Sequence, residues 1–337
     1  MHKKVTIIDT TLRDGSHALS HSLTEEQVSA VAEGLEKAGV RFIEISHGDG
    51  IAGSSINYGK SATREMDLIR AARKKAENAR IIVLLLPGIG TIEDLEEAIE
   101  SGASGVRVAT HCTEADIAIQ HLKYAKNKGL FTVGFLMMSH MVGPKVLLEQ
   151  SKIFVDCGVD YINIADSAGH MLPDEVRRKI SYLRENLDIP IGFHSHNNLG
   201  LAVGNSLAAI EEGAEYIDVT CRGLGAGAGN TAAEVLCTIL DLEKYETGIN
   251  IFKLMDVAEN IVDPIMRRPQ KIDTAALMLG YAGVYSSFLL HTYRAAEKYR
   301  VDPREVLLEL GRRKMVGGQE DMIIDVAFSM AQDKIQK

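Results

Sequence analysis

The sequence predicts an α/β protein, a (β/α)8 TIM barrel with a C-terminal helical appendage, on three observations. Short β-branched apolar runs alternate with segments of helical period, eight of each, between Val5 and Lys244. Several helical segments end on a glycine just before the next apolar run (Gly39, Gly102, Gly129, Gly158, Gly213). Eight such units in about 245 residues fit a closed barrel, whose usual size is roughly 250 residues. An open doubly wound sheet rarely needs eight equal units.

In order, the first strand is expected at residues 5–8. A capping box, Thr24-Glu-Glu-Gln27, then opens a helix that runs through Leu35. The second strand spans 40–46, and a glycine-rich loop, 47–59, leads to a helix at 65–75. Further strands are expected at 81–86, 105–109, 131–136, 161–165, 190–193 and 216–220. The helices after them are expected at 92–101, 113–128, 145–157, 173–185, 199–212 and 231–244. Thr113, with Asp116 three residues on, opens the 113–128 helix. Proline occupies the first turn of the 173–185 helix, where its missing N–H costs nothing. Beyond residue 250 the strands stop. Helical patterns at 251–261, 273–299 and 303–310 mark a second region, 251–337, after a barrel at 1–250; it should pack on the barrel mouth or against another protein.

Composition narrows the class. With 46% hydrophobic and 25% charged residues the chain matches an ordinary soluble globular protein. Its net charge of −9 and lack of a basic run exclude nucleic acid as a partner, since phosphate binding needs clustered Lys and Arg. The four cysteines (Cys112, Cys157, Cys221, Cys237) form no Cys-x-x-Cys pair, and Met-His-Lys-Lys is no apolar leader. Reduced thiols in a cytoplasm are expected. The longest apolar runs, such as 81–86, are far too short to span a bilayer.

Barrels place their chemistry at the C-terminal ends of the strands. The first strand exits into Thr11-Leu-Arg-Asp-Gly-Ser-His17, which offers a cation, a carboxylate and an imidazole. The second brings His47 and Asp49, the fourth His111, the fifth Met138 and His140, the sixth Asp166 and Ser167. The seventh ends in His194-Ser-His-Asn-Asn198, and the eighth leads to the loop Gly223-Leu-Gly-Ala-Gly-Ala-Gly-Asn230. Residues two apart on a strand point the same way, so His194 and His196 can share one ion. Asp14 adds a carboxylate, and two imidazoles with one acid leave coordination positions open for a substrate. The bland alternative is that the pair caps the next helix or bonds backbone. The 223–230 loop lacks the Lys-Ser/Thr of a phosphate-binding loop, which favours a loop without room for side chains beside a metal. His111 and His140 are equally readable as structural hydrogen-bonders.

These stretches resemble the 4-hydroxy-2-oxovalerate aldolases. So do His47-Gly-Asp-Gly50, Leu84-Leu-Leu-Pro-Gly-Ile-Gly90, Arg107-Val-Ala-Thr-His-Cys-Thr-Glu-Ala-Asp116 and Gly134-Phe-Leu-Met-Met-Ser-His140. The resemblance continues through Gly280-Tyr-Ala-Gly-Val-Tyr-Ser-Ser-Phe288 and Met315-Val-Gly-Gly-Gln-Glu-Asp-Met322, so it covers nearly the whole chain. It implies retro-aldol cleavage of 4-hydroxy-2-oxopentanoate to pyruvate and acetaldehyde, late in the meta-cleavage catabolism of aromatic compounds. It implies Asp14, His194 and His196 as ligands of a divalent ion, usually Mn2+, with Mg2+ or Co2+ as substitutes and Asn230 as a weaker candidate. Arg13 would stabilise the enolate, His17 would be the base, and Ser167 would touch the substrate carboxylate. Tyr285 would reach in from the appendage to orient the substrate, and Leu84 and Leu86 would shape the aldehyde end. An acylating acetaldehyde dehydrogenase is the implied partner.

The same superfamily holds acyl-CoA-dependent lyases and synthases, the nearest alternative. The synthases place Glu-Gln after Leu-Arg-Asp-Gly where this chain has Ser16-His17, and hydroxymethylglutaryl-CoA lyases carry a cysteine in a glycine-rich loop that here has none. A ferrous oxygenase and a non-catalytic scaffold for the dehydrogenase are the remaining alternatives. One position departs from the family: Asn197 stands where the aldolases read His in His-x-His-His-Asn. Asn197 should point away from the lumen, leaving the metal site intact.

Overall fold

Among the residues that the computed structural model describes (4–316 and 318–335), eight parallel strands close into a barrel in sequence order. They are β1 (Thr6–Asp9), β2 (Phe42–Glu44), β3 (Arg80–Leu85), β4 (Gly105–His111), β5 (Phe131–Met137), β6 (Tyr161–Asp166), β7 (Ile191–Ser195) and β8 (Tyr216–Val219). Closure is direct: β1 pairs with β2 on one side and with β8 on the other, from Thr6↔Tyr216 to Asp9↔Val219. The outer helices are α1 (Glu25–Lys37), α2 (Glu65–Lys75), α3 (Ile92–Glu100), α4 (Ile119–Asn127), α5 (Pro144–Asp156), α6 (Pro173–Asn186), α7 (Ala202–Glu211) and α8 (Ala233–Leu242). Thr24 caps α1 as its sequence requires, accepting the Gln27 N–H while the Gln27 side chain takes the Thr24 N–H. Met1 to Lys3, and Gly317 within the 315–322 motif, lie outside the described residues.

The strands sort their side chains by the period of two. Ile81, Val83 and Leu85 of β3 join the core beneath the helices, whereas Leu84 joins Ala109, Phe135 and Ala165 in a separate cluster. The lumen is filled in layers. Phe42, Phe131, Tyr161 and Tyr216 form an aromatic layer, with Tyr161 stacked on Tyr216 at 4.1 Å between centroids. An ionic layer of Glu44, Arg107 and Asp218 comes next, and His194 stands on Asp218 at 2.9 Å.

Two local expectations need correction. Thr113 does not open the helix after β4: its hydroxyl pairs with His111 Nδ1 at 2.8 Å, and a 3-10 turn, Ala115–Ala118, precedes α4. The 273–299 pattern is two helices. After α9 (Ile251–Asp256), α10 spans Thr274–Ala282 and α11 spans Phe288–Tyr299. Gly283 adopts φ +66°, a left-handed conformation that costs glycine little and ends α10. α12 (Pro303–Arg312) follows, and α13 (Asp321–Ile335) is a helix that the sequence pattern did not suggest.

The late helices share their own apolar cluster, built on Leu279, Phe288, Val306, Leu310 and Val326. They touch the barrel mouth through backbone carbonyls and a few side chains. The Ser286 N–H and hydroxyl donate to the Ser167 carbonyl at 3.3 and 2.7 Å, and His140 donates from Nε2 to the Gly283 carbonyl at 3.1 Å. The break at Gly283 therefore delivers Tyr285 and Ser286 to the strand ends.

Candidate active site

The chain leaves β1 and folds back at once. The Asp9 carboxylate accepts the Thr11 N–H and hydroxyl at 2.9 and 3.0 Å, and the Thr10 carbonyl accepts the Arg13 and Asp14 N–H groups. This turn places Arg13 and Asp14 over the lumen, and one further helical turn, Gly15–Ala18, carries His17.

Three buried donors converge there. His194 Nε2 and His196 Nε2 are 3.2 Å apart, and each lies close to Asp14 Oδ2, at 3.7 and 3.8 Å. These spacings approach the ~3.0–3.5 Å between neighbouring ligands of an ion with bonds of about 2.1 Å. Tautomers favour the same arrangement. Asp218 accepts from His194 Nδ1 at 2.9 Å, so the His194 proton sits on Nδ1 and Nε2 presents a lone pair. Burial opposes ionisation of Asp218, but Arg107 and then His194 outweigh it and hold the carboxyl below its usual range. Burial, reinforced by His194, pushes His196 down to about 3 against the pull of Asp14, so its imidazole is neutral near pH 7. The buried Oδ1 of Asn230 also lacks a hydrogen-bond partner, while its Nδ2 donates to Asp14 Oδ1 at 2.8 Å. This donor set fits a divalent cation.

The charges behind it form an alternating chain. Asp14 pairs with Arg13 at 2.6 Å, Arg13 with Glu44 at 2.7 Å, Glu44 with Arg107 at 2.7 Å and Arg107 with Asp218 at 2.6 Å. Three carboxylates against two guanidinium groups leave one negative charge in a buried site, which a cation would offset. Burial works against the Asp14 anion, yet Arg13, His196 and His194 hold its carboxyl well below the usual range.

The glycine-rich loop packs against this cluster. A Cβ at Gly225 would fall 2.0 Å from Asn230 Nδ2 and 2.7 Å from Asp14 Oδ1, so only a bare Cα fits. The Ala226 N–H donates to Asp14 Oδ1 at 3.1 Å. The loop is a close-approach element, as its composition suggested.

A second group of rings surrounds His17. His21 stacks on His47 with centroids 3.6 Å apart, and His17 meets the His21 edge at 5.2 Å. Donor atoms of His17, His21 and Asp49 lie within 4.8 Å of one another. The inner rings are already engaged: His21 Nδ1 is 3.0 Å from Ser16 Oγ, and His47 Nε2 donates to the Gly59 carbonyl at 3.0 Å. Burial, with a smaller push from His17, lowers His21 to about 2 and His47 to about 4.

Arg13, Asp14, His17, Leu84, Leu86, Ser167, His194, His196 and Tyr285 all line one small cavity at the strand ends. Ser167 Oγ accepts the Met138 N–H at 3.0 Å, leaving its own proton to donate. Burial, followed by Asp49, raises the Tyr285 phenol well above its usual range, so it stays protonated. Tyr285 Oη lies 2.9 Å from Met137 Sδ. No lysine lines this cavity among the described residues.

Relatives decide the family. Over 332 residues the chain is 58% identical to the 4-hydroxy-2-oxovalerate aldolase of Moorella thermoacetica, covering 98% of each chain. It is also 58% identical, over 331 residues and 98% of each chain, to the 4-hydroxy-2-oxovalerate aldolase of Carboxydothermus hydrogenoformans. The chain belongs to the 4-hydroxy-2-oxovalerate aldolase family. Within this aldolase chain, residues 4–261 match the HMGL-like family model and residues 270–332 a DmpG-like communication domain. The carboxyl transferase domain of Rhizobium etli pyruvate carboxylase superposes with a TM-score of 0.84 at 16% identity, over 98% of this chain and 61% of that one; it shares the fold. No described helix is long and apolar enough to cross a membrane.

The other strand-end residues are structural. Asp166 accepts the N–H groups of His170 and Met171 at 2.8 and 2.9 Å, and His111 bonds Thr113. Asn197 accepts the Ala202 N–H at 3.2 Å at the start of α7 and is absent from the cavity wall. Reading strand ends alone missed Glu44, Arg107 and Asp218. Each is an isolated charge inside an apolar strand run, a signal that was available: Phe-Ile-Glu44-Ile, Val-Arg107-Val, Ile-Asp218-Val.

Proposed function

We propose that this chain cleaves 4-hydroxy-2-oxopentanoate to pyruvate and acetaldehyde by a divalent-metal-dependent retro-aldol reaction. The observation that carries the reading is the convergence of Asp14 Oδ2, His194 Nε2 and His196 Nε2 in the cavity that also holds Arg13 and His17. Relatives carrying the aldolase name over nearly the full length support it. When bound, the ion, Mn2+ by preference with Mg2+ or Co2+ as substitutes, supplies Lewis acidity at the 2-oxo group.

The side chains do the rest. His17 removes the 4-hydroxyl proton; imidazole is the commonest base for such a transfer. The O–H electron pair forms the aldehyde carbonyl as the C3–C4 bond breaks, and that bond's electrons pass into the enolate of pyruvate. Arg13, fixed between Glu44 and Asp14, sets a positive charge beside the developing oxyanion, an effect of roughly 3–4 kcal/mol per donor. Ser167 donates to the substrate carboxylate, and the Tyr285 phenol orients the substrate against His17. Leu84 and Leu86 bound the aldehyde's methyl end. A proton delivered to C3 completes pyruvate. No amine nucleophile is needed, in contrast to Schiff-base aldolases. The match of residues 270–332 to a communication domain supports an acylating acetaldehyde dehydrogenase as the partner that takes the aldehyde. This activity fits the late steps of aromatic meta-cleavage catabolism.

The test is pyruvate release across 4-hydroxy-2-oxo acids of increasing length, with Mn2+ and with a chelator. Cleavage of the five-carbon acid that stops on chelation is expected. Turnover only with an acyl-CoA would instead assign the chain to the CoA-dependent lyases and synthases.

A further inference from the structure

Two larger cavities share walls with the catalytic one, and their charges differ in sign. The first, of about 330 Å³, shares His17, Ala226 and Ser286 with it. The second, of about 270 Å³, shares Leu86, Met137 and Tyr285. Asp49 lines all three cavities, and Glu320 lines both of the larger ones. Setting those two shared carboxylates aside, the first cavity carries Arg267, Arg268 and Arg294, whereas the second carries Glu114 and, among its described lining residues, no lysine or arginine.

The three arginines are poorly neutralised. Arg267 donates to neutral partners, Ser20 Oγ at 3.3 Å and Ser22 Oγ at 3.0 Å. Arg268 is 3.9 Å from Asp273, a loose pair more than half exposed on the arginine side. Arg294, on α11, has no carboxylate within ion-pair distance among the described residues. In a chain of net charge −9, this is a local positive field beside a small catalytic cavity.

We propose that the first cavity is an anion antechamber, in which Arg267, Arg268 and Arg294 draw in a small carboxylate and pass it by His17 to the metal cluster, while the acid-lined second cavity repels anions and leaves a path for a neutral molecule. The inference rests on the aldolase reading, in which the 2-oxo acid and pyruvate are anions and the aldehyde is neutral. The two cavities then sort the species by charge: carboxylates use the arginine side, and the aldehyde uses the side walled by Leu86, Met137 and Tyr285. Arg267 also braces the Ser20–Ser22 segment next to His17, so Arg268 and Arg294 are the cleaner probes.

The experiment is steady-state kinetics of the Mn2+-loaded full chain and of an Arg268→Gln/Arg294→Gln variant, in both reaction directions, from low to high salt. For wild type, kcat/KM for the 2-oxo acid should fall as salt screens the field. The variant should lose about 3- to 10-fold in that kcat/KM at low salt, with kcat within two-fold and a flatter salt dependence. In condensation, kcat/KM for pyruvate should drop and that for acetaldehyde should not. An Arg268→Lys/Arg294→Lys variant, which keeps both charges, should restore the wild-type values. Equal losses for pyruvate and acetaldehyde, or no loss at low salt, would overturn the antechamber. Calorimetric titration with pyruvate separates the two readings. A chain that binds pyruvate with arginine-dependent affinity yet cleaves no 4-hydroxy-2-oxo acid would sink the aldolase assignment and leave the antechamber standing.

Discussion

At the end of β7, His194 and His196 aim Nε2 at each other and at Asp14, with spacings of 3.2 to 3.8 Å. In the segments after β1 and β2, His21 and His47 lie nearly parallel, 3.6 Å between centroids; His21 Nδ1 meets Ser16, and the two His47 nitrogens meet the Gly59 carbonyl and the Asp49 N–H. Composition scarcely distinguishes the two groups, since each has imidazoles and a nearby carboxylate. Wiring does. Asp218, ionised by Arg107, pins the His194 proton on Nδ1 and turns Nε2 outward as a lone pair. In the second group His21 Nδ1 and both nitrogens of His47 are already hydrogen-bonded. The two rings act as a wall that positions half-buried His17, whose ring lies where a Cβ at Gly48 would be, at 2.5 Å. On the proposed reading the first group holds a cation and the second a base.

The largest effect that tests this contrast is His17→Ala. Losing a general base should cost about 10²–10⁴ in kcat, while Mn2+ binding, measured by titration, stays at wild-type stoichiometry. Metal loss in this variant would join the two groups into one site. The next effect lies beneath the cluster. Asp218→Asn keeps shape but can present an amide N–H to His194, which releases the pinned tautomer. Outer partners of metal ligands typically contribute 10- to 100-fold in affinity, so Mn2+ binding should weaken by about that factor. Unchanged affinity would mean that the ionic layer serves only the fold.

That ionic layer also shows where the sequence was hard to read. The barrel follows from short β-branched apolar runs alternating with helical segments that end on glycine, and the cluster from His-x-His at one strand end and Arg-Asp at another, because both patterns are local. Glu44, Arg107 and Asp218 were visible as charges in apolar runs, but their partners stand 63 and 111 residues apart along the chain. Only the closed barrel brings them together. Gly283 hid for the opposite reason: the apolar helical pattern runs on through it, and the break shows only as a left-handed φ. The structural role of His140 depended on that same break, since its partner is the Gly283 carbonyl.

The smallest effect probes the second group's neutrality. Unfolded histidines titrate near 6.5, whereas burial, helped by His17, holds His47 down to about 4 and His21 to about 2. Between pH 6.5 and 4 the unfolded chain therefore binds more protons than the folded one, and stability falls as pH falls through that window. Other groups add to the profile: His140, lowered to about 3, acts in the same direction. Asp9 and Glu65, raised to about 7 by burial, act in the opposite one, because their stabilisation is lost as pH rises toward 7. The informative quantity is thus a difference between variants. His47→Gln can still donate to the Gly59 carbonyl but takes up no proton. Its melting temperature, measured without metal, should drop less than the wild type's between pH 7 and 5, by about 1–3 °C for a chain of this size. Identical drops would mean that His47 is protonated in the folded protein and that burial does not hold its ring neutral.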